Sequence, residues 1–288
     1  MYKPLGSINI NELPMPQVRL GLQGAPHTGK TWAALTFPNP IVLNFDNKLG
    51  AHKSRTDITI IPFNDPQFIR EVMKISNEPW NGGAGKDDPK LPPNRKDALL
   101  KWLRTEGYKL ETDSTLILDS WTSLQQAIDQ QIWMEPSYSK KTNEIDERDY
   151  WSRKLDYNKD LCELLRGLNC HVVVTFHEIK RRDEKTGDLL EKITPLMQGQ
   201  FAAQLAAHFT DWYRQHAIPR VDVKGIPIVL NKSTVDKHEL NNYTLKEDTE
   251  YFWQVKQDDT VDCGTCMTKL SQSIRFVPAT FNSFTKYL

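Results

Sequence analysis

The sequence predicts an α/β protein: a twisted, mainly parallel sheet interleaved with helices and followed by a β-rich C-terminal extension. Two patterns carry that prediction. Short apolar runs at 18–22, 41–45, 116–118 and 172–176 read as strands buried on both faces, as parallel strands are. Between them lie stretches of helical periodicity bounded by caps and prolines. A third observation orients the sheet: Gly24-Ala25-Pro26-His27-Thr28-Gly29-Lys30-Thr31 satisfies G-x-x-x-x-G-K-S/T between the first strand and the first helix.

Composition sets outer limits. A chain of 288 residues holds one large α/β domain with additions, or two small ones. Its 37 basic and 37 acidic side chains cancel, so no global field points to nucleic acid or membrane, though local patches stay open. No apolar run approaches a membrane span and no signal-peptide pattern opens the chain. Four cysteines are too few for a disulfide framework, so the expected compartment is the cytoplasm. The expected divisions are an arm at 1–16, a core at 17–219 and the extension at 220–288.

Residues 1–16 hold three prolines and few apolar positions and read as an arm. The glycine loop follows. Its glycines let the backbone wrap phosphates closely, so that successive N–H groups and a helix start face the anion. Lys30 is placed to reach the β- and γ-phosphates, and the Thr31 hydroxyl to sit on Mg²⁺; Trp32 opens the helix beside them. The motif therefore predicts ATP and Mg²⁺ as cofactors.

Pro38 and Pro40 break the helix, and the strand 41–45 ends at Asp46. Carboxylates at such strand ends face the ligand crevice, so Asp46 is either a catalytic group near Mg²⁺ and the attacking water or a turn aspartate. Residues 58–63 read as a strand. Asp65 then caps a helix with Pro66 at its first position. Residues 77–94 are a glycine- and proline-rich loop, and helical signals resume at 97–110.

Thr115-Leu116-Ile117-Leu118-Asp119-Ser120 is the second motif. It delivers a carboxylate to the sheet edge roughly ninety residues after the loop, where a phosphoryl-transfer site needs a second acid for its metal. Residues 121–169 read as helical with a break at 136–143. Around that break Tyr138, Lys140, Lys141, Arg148, Tyr150 and Trp151 mix aromatic and basic groups. They suit base stacking with phosphate contacts, but the acids among them at 144, 146, 147 and 149 favour a solvated helix face. The strand 171–176 ends in His177-Glu178, which could sense the γ-phosphate or orient water. A polar loop follows to Gly199, which opens a helix leading to Asp211-Trp212-Tyr213-Arg214. Beyond 220, residues 251–256 and 273–277 read as strands. Cys263-Gly264-Thr265-Cys266 reads as a tight turn, since no second cysteine pair lies near enough for zinc.

Taken in order, these parts resemble RecA-like P-loop ATPases, in particular the RecA-like branch of phage single-strand annealing proteins. The resemblance covers approximately residues 17–215. It implies a RecA-like P-loop NTPase core, Mg²⁺-dependent ATP hydrolysis, and strand annealing or exchange in phage recombination. Lys30, Asp46, Asp119, His177 and Glu178 would be its catalytic set. The loop 180–198 would contact DNA through Lys180, Arg181, Arg182 and Lys185, with the segment around Tyr138 and Tyr150 as companion. Lys256 would complete a neighbour's site in trans. The implied partners are single-stranded DNA, further copies of the chain in a filament or ring, and a single-strand-binding protein, in the cytoplasm of a bacterial host. The chain departs from the family at the general base, where a glutamate is usual and Asp46-Asn47-Lys48 stands. Two other readings keep the ATP site: an ATPase acting on a protein, such as a helicase loader or packaging accessory, and a nucleotide-switched scaffold with little turnover.

Overall fold

In the computed structural model, which describes residues 17–46, 48–74, 94–134, 138, 145–180, 183, 186, 191–197, 201–219, 249–265 and 274–287, the apolar runs join one sheet. Strand β1 (Arg19–Gly24) leads through the glycine loop into α1 (Lys30–Ala34). Strands β2 (Pro40–Asn44) and β3 (Thr59–Ile61) precede helices α2 (Pro66–Lys74) and α3 (Arg95–Thr105). Strand β4 (Thr115–Asp119) runs into α4 (Trp121–Met134), and α5 (Glu147–Gly167) returns the chain to β5 (His171–Ile179). After β6 (Thr194–Pro195) and α6 (Phe201–Gln204) come β7 (Asp211–Pro219), β8 (Thr249–Gln254), β9 (Phe276–Pro278) and α7 (Phe281–Tyr287).

The sheet runs β3-β2-β4-β5-β1-β7-β8-β9, with β6 attached to the far end of β5. From β3 to β7 every pairing is parallel; β8 and β9 add on antiparallel. One strand, β5, therefore separates the strand of the glycine loop from the strand of Asp119.

Alternation along each strand builds two cores, because successive side chains point to opposite faces. Leu116, Leu118, Val172, Val174 and Phe176 face α3, α4 and α5 through Trp102, Leu124 and Leu161. Leu20, Leu22, Ile117, Val173 and Tyr213 face α1 and α7 through Ala33, Leu35 and Phe284. With helices on both faces, the central strands β2, β4 and β5 carry uninterrupted apolar runs, which is the pattern the sequence displays. Asp65 accepts from the Gln67 N–H at 2.9 Å, the cap expected before Pro66. No helix among the described residues is long and apolar enough to cross a membrane.

Three elements differ from expectation. Strand β5 continues through His177 and Glu178 to Ile179, because the β6 backbone pairs with its last residues. The helix expected from Gly199 is only Phe201–Gln204, followed by a short 3-10 turn. Asp211–Arg214, where the sequence showed no strand, opens the nine-residue strand β7, whose register against β1 supplies hydrogen bonds that a helix could not. Strand β7 ends at Pro219, and β8 and β9, from beyond it, join the same sheet.

Gly21 shows how closely the layers meet. The Phe176 and Trp212 rings, 5.0 Å apart, meet across β1. A Cβ on Gly21 would lie 2.1 Å from the Trp212 ring. Gly21→Ala is expected to destabilise the protein by about 1–3 kcal/mol through overpacking, read as a lower urea midpoint at unchanged slope.

Candidate functional site

The loop between β1 and α1 is shaped by two left-handed residues, His27 at φ 63° and Gly29 at φ 79°. Gly29 also has no room for a side chain, because a Cβ there would lie 2.5 Å from the Tyr251 ring. The Thr28 hydroxyl donates to the Ala25 carbonyl at 2.8 Å and closes the turn. Lys30 folds back over the loop, donating to the Gly24 and Ala25 carbonyls at 2.9 and 2.7 Å. It is only 7% exposed. Burial lowers its pKa to about 8, against the opposing pull of Asp119.

Asp119 sits at the end of β4, in the middle of the sheet. Its Oδ2 accepts from the Thr31 hydroxyl at 2.9 Å and its Oδ1 from the Thr175 hydroxyl at 2.6 Å. Burial pushes this carboxyl above its usual pKa, with the Thr175 hydrogen bond opposing and the nearby Asp46 charge adding to the rise. The peptide bond to Ser120 is cis.

Asp46 lies next to this pair, its two oxygens 3.2 and 3.4 Å from the Ser120 hydroxyl and one of them 3.1 Å from Lys48 Nζ. Burial raises its pKa, but hydrogen bonds from Ser123, Lys48 and Ser120 outweigh that and hold it low. His177 brings its Nε2 to 4.0 Å from Asp46 Oδ2, and its backbone N–H donates to the Thr122 hydroxyl at 3.0 Å. Burial, with Lys30 and Lys48 nearby, lowers the His177 pKa and keeps the ring neutral. Its Nδ1 is buried without a hydrogen-bond partner among the described residues.

Glu178 is not brought to this cluster. Alternation places it on the opposite face, the next rung beyond Phe176 and Trp212. There Arg214 clamps both of its oxygens, Nε to Oε2 at 2.9 Å and Nη2 to Oε1 at 3.1 Å, and Lys180 adds a contact at 2.8 Å. Two cations thus pair with the Glu178 carboxylate, whose charge also acts on Lys30. Lys180 follows the end of β5 beside it. Arg181, Arg182 and Lys185 lie outside the described residues, as do Lys140 and Lys141. Lys256 falls beyond the end of β8, its carbonyl accepting from Gln254 Nε2 at 3.1 Å. Burial lowers its pKa. Cys266 is outside the described residues; Gly264 pairs its backbone with Trp212 in both directions, at 2.8 and 3.0 Å.

Sequence reasoning missed four contributors. Thr175 is a lone hydroxyl in an apolar strand with the same parity as His177, a signal that was readable. Ser123 needs the turn of α4 to bring it back to Asp46. Arg214 required β7 to be recognised as a strand. Tyr251 meets Trp32 with ring centroids 5.3 Å apart and carries no local signal, since only the β7–β8 pairing brings it to the loop.

The donor set fits a nucleoside triphosphate with Mg²⁺. The loop turns through two left-handed residues, a buried ammonium lines it, and a hydroxyl and a carboxylate already touch where the metal would lie. No cluster of three or more His, Cys, Asp or Glu side chains suited to a metal occurs among the described residues. Mg²⁺ needs none, since it binds through one or two carboxylates plus substrate phosphates.

No curated protein matches the chain. Among solved structures, the crystal structure of the RadB recombinase is similar over 85% of this chain and 90% of that one, at 10% identity and a TM-score of 0.30. Residues 17–225 match the family model described as an AAA domain, and with that match across most of its length the chain belongs to the AAA domain family.

Proposed function

We propose that this AAA-domain protein is a Mg²⁺-dependent ATPase of RecA-like type, phage-encoded, which couples ATP to single-stranded DNA in strand annealing or exchange. The observation that carries the ATPase is the Thr31–Asp119 hydrogen bond of 2.9 Å. It joins the glycine loop to the central carboxylate strand. Thr31 and Asp119 would hold Mg²⁺, which supplies charge neutralisation at the phosphates. Lys30 stabilises the charge that develops on the γ-phosphoryl group. His177, held neutral by burial, senses the γ-phosphate or orients the attacking water, while Asp46 sets the field beside it.

The coupling to DNA is supported by strand β5. It carries Thr175 on Asp119 and His177 beside Asp46, and Lys180 follows its last residue at the start of the expected DNA loop. The α4–α5 end adds exposed Trp133, Tyr138 and Trp151, aromatic faces of the kind on which successive bases stack. Lys154 lies 5.6 Å from the Trp151 ring centre but is pinned to Asp129 at 2.6 Å, so it supports the aromatic surface rather than reaching for phosphate. Copies of the chain would assemble as a filament or ring, with Lys256 offered to a neighbour and a single-strand-binding protein as a further partner.

A second reading, a nucleotide-switched scaffold with little turnover, is favoured by one contact. Lys48 neutralises Asp46 and weakens it as a base. ATP turnover with and without single-stranded DNA separates the readings, with Asp119→Ala as the blank. Stimulation of several-fold, lost in the blank, is expected. Turnover indifferent to DNA would overturn the recombination reading and favour a protein-directed ATPase; tight ATP binding without turnover would favour the scaffold.

A further inference from the structure

The carboxylate of Glu178 occupies a cationic site that exceeds what holding it requires. Arg214 alone satisfies both oxygens in a forked pair, and that pair is enough to stitch β5 to β7 across the end of β1. Lys180 is surplus, yet it sits 2.8 Å from the same carboxylate, leaving the triad one positive charge in excess. The three side chains are graded in exposure: Glu178 is 2% exposed, Arg214 12% and Lys180 37%. An incoming group therefore meets the lysine first. The site lies at the carboxyl edge of the strands, where open α/β sheets face their ligands.

We propose that Glu178 is an internal stand-in for a phosphodiester: it holds Arg214 and Lys180 as a preformed phosphate site, and a nucleic-acid phosphate displaces it. The inference rests on the single-stranded DNA reading above and deepens it. A guanidinium fork accepts carboxylate and phosphate oxygens with the same geometry. Exchange of one for the other leaves both cations paired, so neither is stranded. Because β5 also carries His177 and Thr175, a phosphate at this position acts on the strand that lines the nucleotide site. Glu178 is thus a positioning residue, acting through Arg214 and Lys180.

The test is binding of a fluorescein-labelled oligothymidylate, followed by anisotropy across a salt series, for the full chain and the variants Glu178→Gln, Lys180→Gln and the double variant. Glu178→Gln removes the competitor and is expected to tighten binding about tenfold. Lys180→Gln is expected to weaken it and to flatten the log–log salt dependence by about 0.7, the increment for one phosphate on a single strand. In the double variant the gain from Glu178→Gln should vanish, since the site is then incomplete. A gain that persists undiminished without Lys180 would show only a distant charge effect and would overturn the proposal. So would a folded Glu178→Gln protein that binds no tighter. If Glu178→Gln does not fold, Lys180→Gln decides alone, and binding unchanged by it sinks the site. Failure of the unmutated chain to bind the oligonucleotide at any salt sinks the DNA reading itself, and this inference with it.

Discussion

Asp119→Ala is expected to lower ATP turnover at least about a hundredfold, the scale on which removal of one electrostatic contributor at a phosphoryl or acyl centre acts. Among the described residues the carboxylate is the one group that touches both Thr31 and Thr175, so its loss separates the glycine loop from the central strands where the metal would lie. The same substitution should do little harm to the nucleotide-free fold. Burial already disfavours the charged carboxylate, and alanine leaves behind only two hydroxyls, which a buried water can satisfy. Steady-state turnover and a melting curve on the same preparation check both statements. A variant that melts like the parent yet hydrolyses ATP at a comparable rate would remove Asp119 from the site.

ATP binding at pH 9 is expected to take up close to one proton. Burial holds the Lys30 pKa at about 8 in the nucleotide-free protein, so at pH 9 the amine is mostly neutral. A triphosphate in the cradle favours the ammonium and raises that pKa again. Affinity should therefore fall by about tenfold for each pH unit above 8 until the bound-state pKa is reached. Calorimetry in two buffers of different ionisation heat measures the uptake directly, and Lys30→Met should abolish it. Stability has its own sign. The lowered pKa means that between about 8 and 10.5 the unfolded chain holds a proton the folded one has lost, so this group makes the nucleotide-free fold more stable as pH rises through that window. Binding without proton uptake at pH 9 would mean that the Lys30 amine does not meet the phosphates.

Much of the nucleotide site was readable because its parts are local. The cradle is eight consecutive residues, and their hydrogen bonds close within the loop: Thr28 to Ala25, Lys30 to Gly24 and Ala25. Asp119 was readable because an apolar strand that ends in a carboxylate announces its position at the sheet edge. The strands themselves were readable for the same reason, since burial on both faces leaves an uninterrupted apolar run. The extent of β5 was not. Its last residues are polar and become strand only because β6 pairs with them, and that pairing is what sends His177 and Glu178 to opposite faces.

What the sequence by itself determined is the chemistry on offer: a phosphate cradle, a buried lysine, a hydroxyl and a central carboxylate on a parallel sheet. Tertiary structure alone decided which distant groups share that chemistry. Tyr251 reaches the loop through the pairing of β8 on β7, Arg214 reaches Glu178 across the end of β1, and Ser120 reaches Asp46 through the pairing of β4 on β2. Each of these contacts depends on strand register and face. A pattern within one segment cannot encode register against a partner many residues away, because the register is set by the packing of the whole sheet.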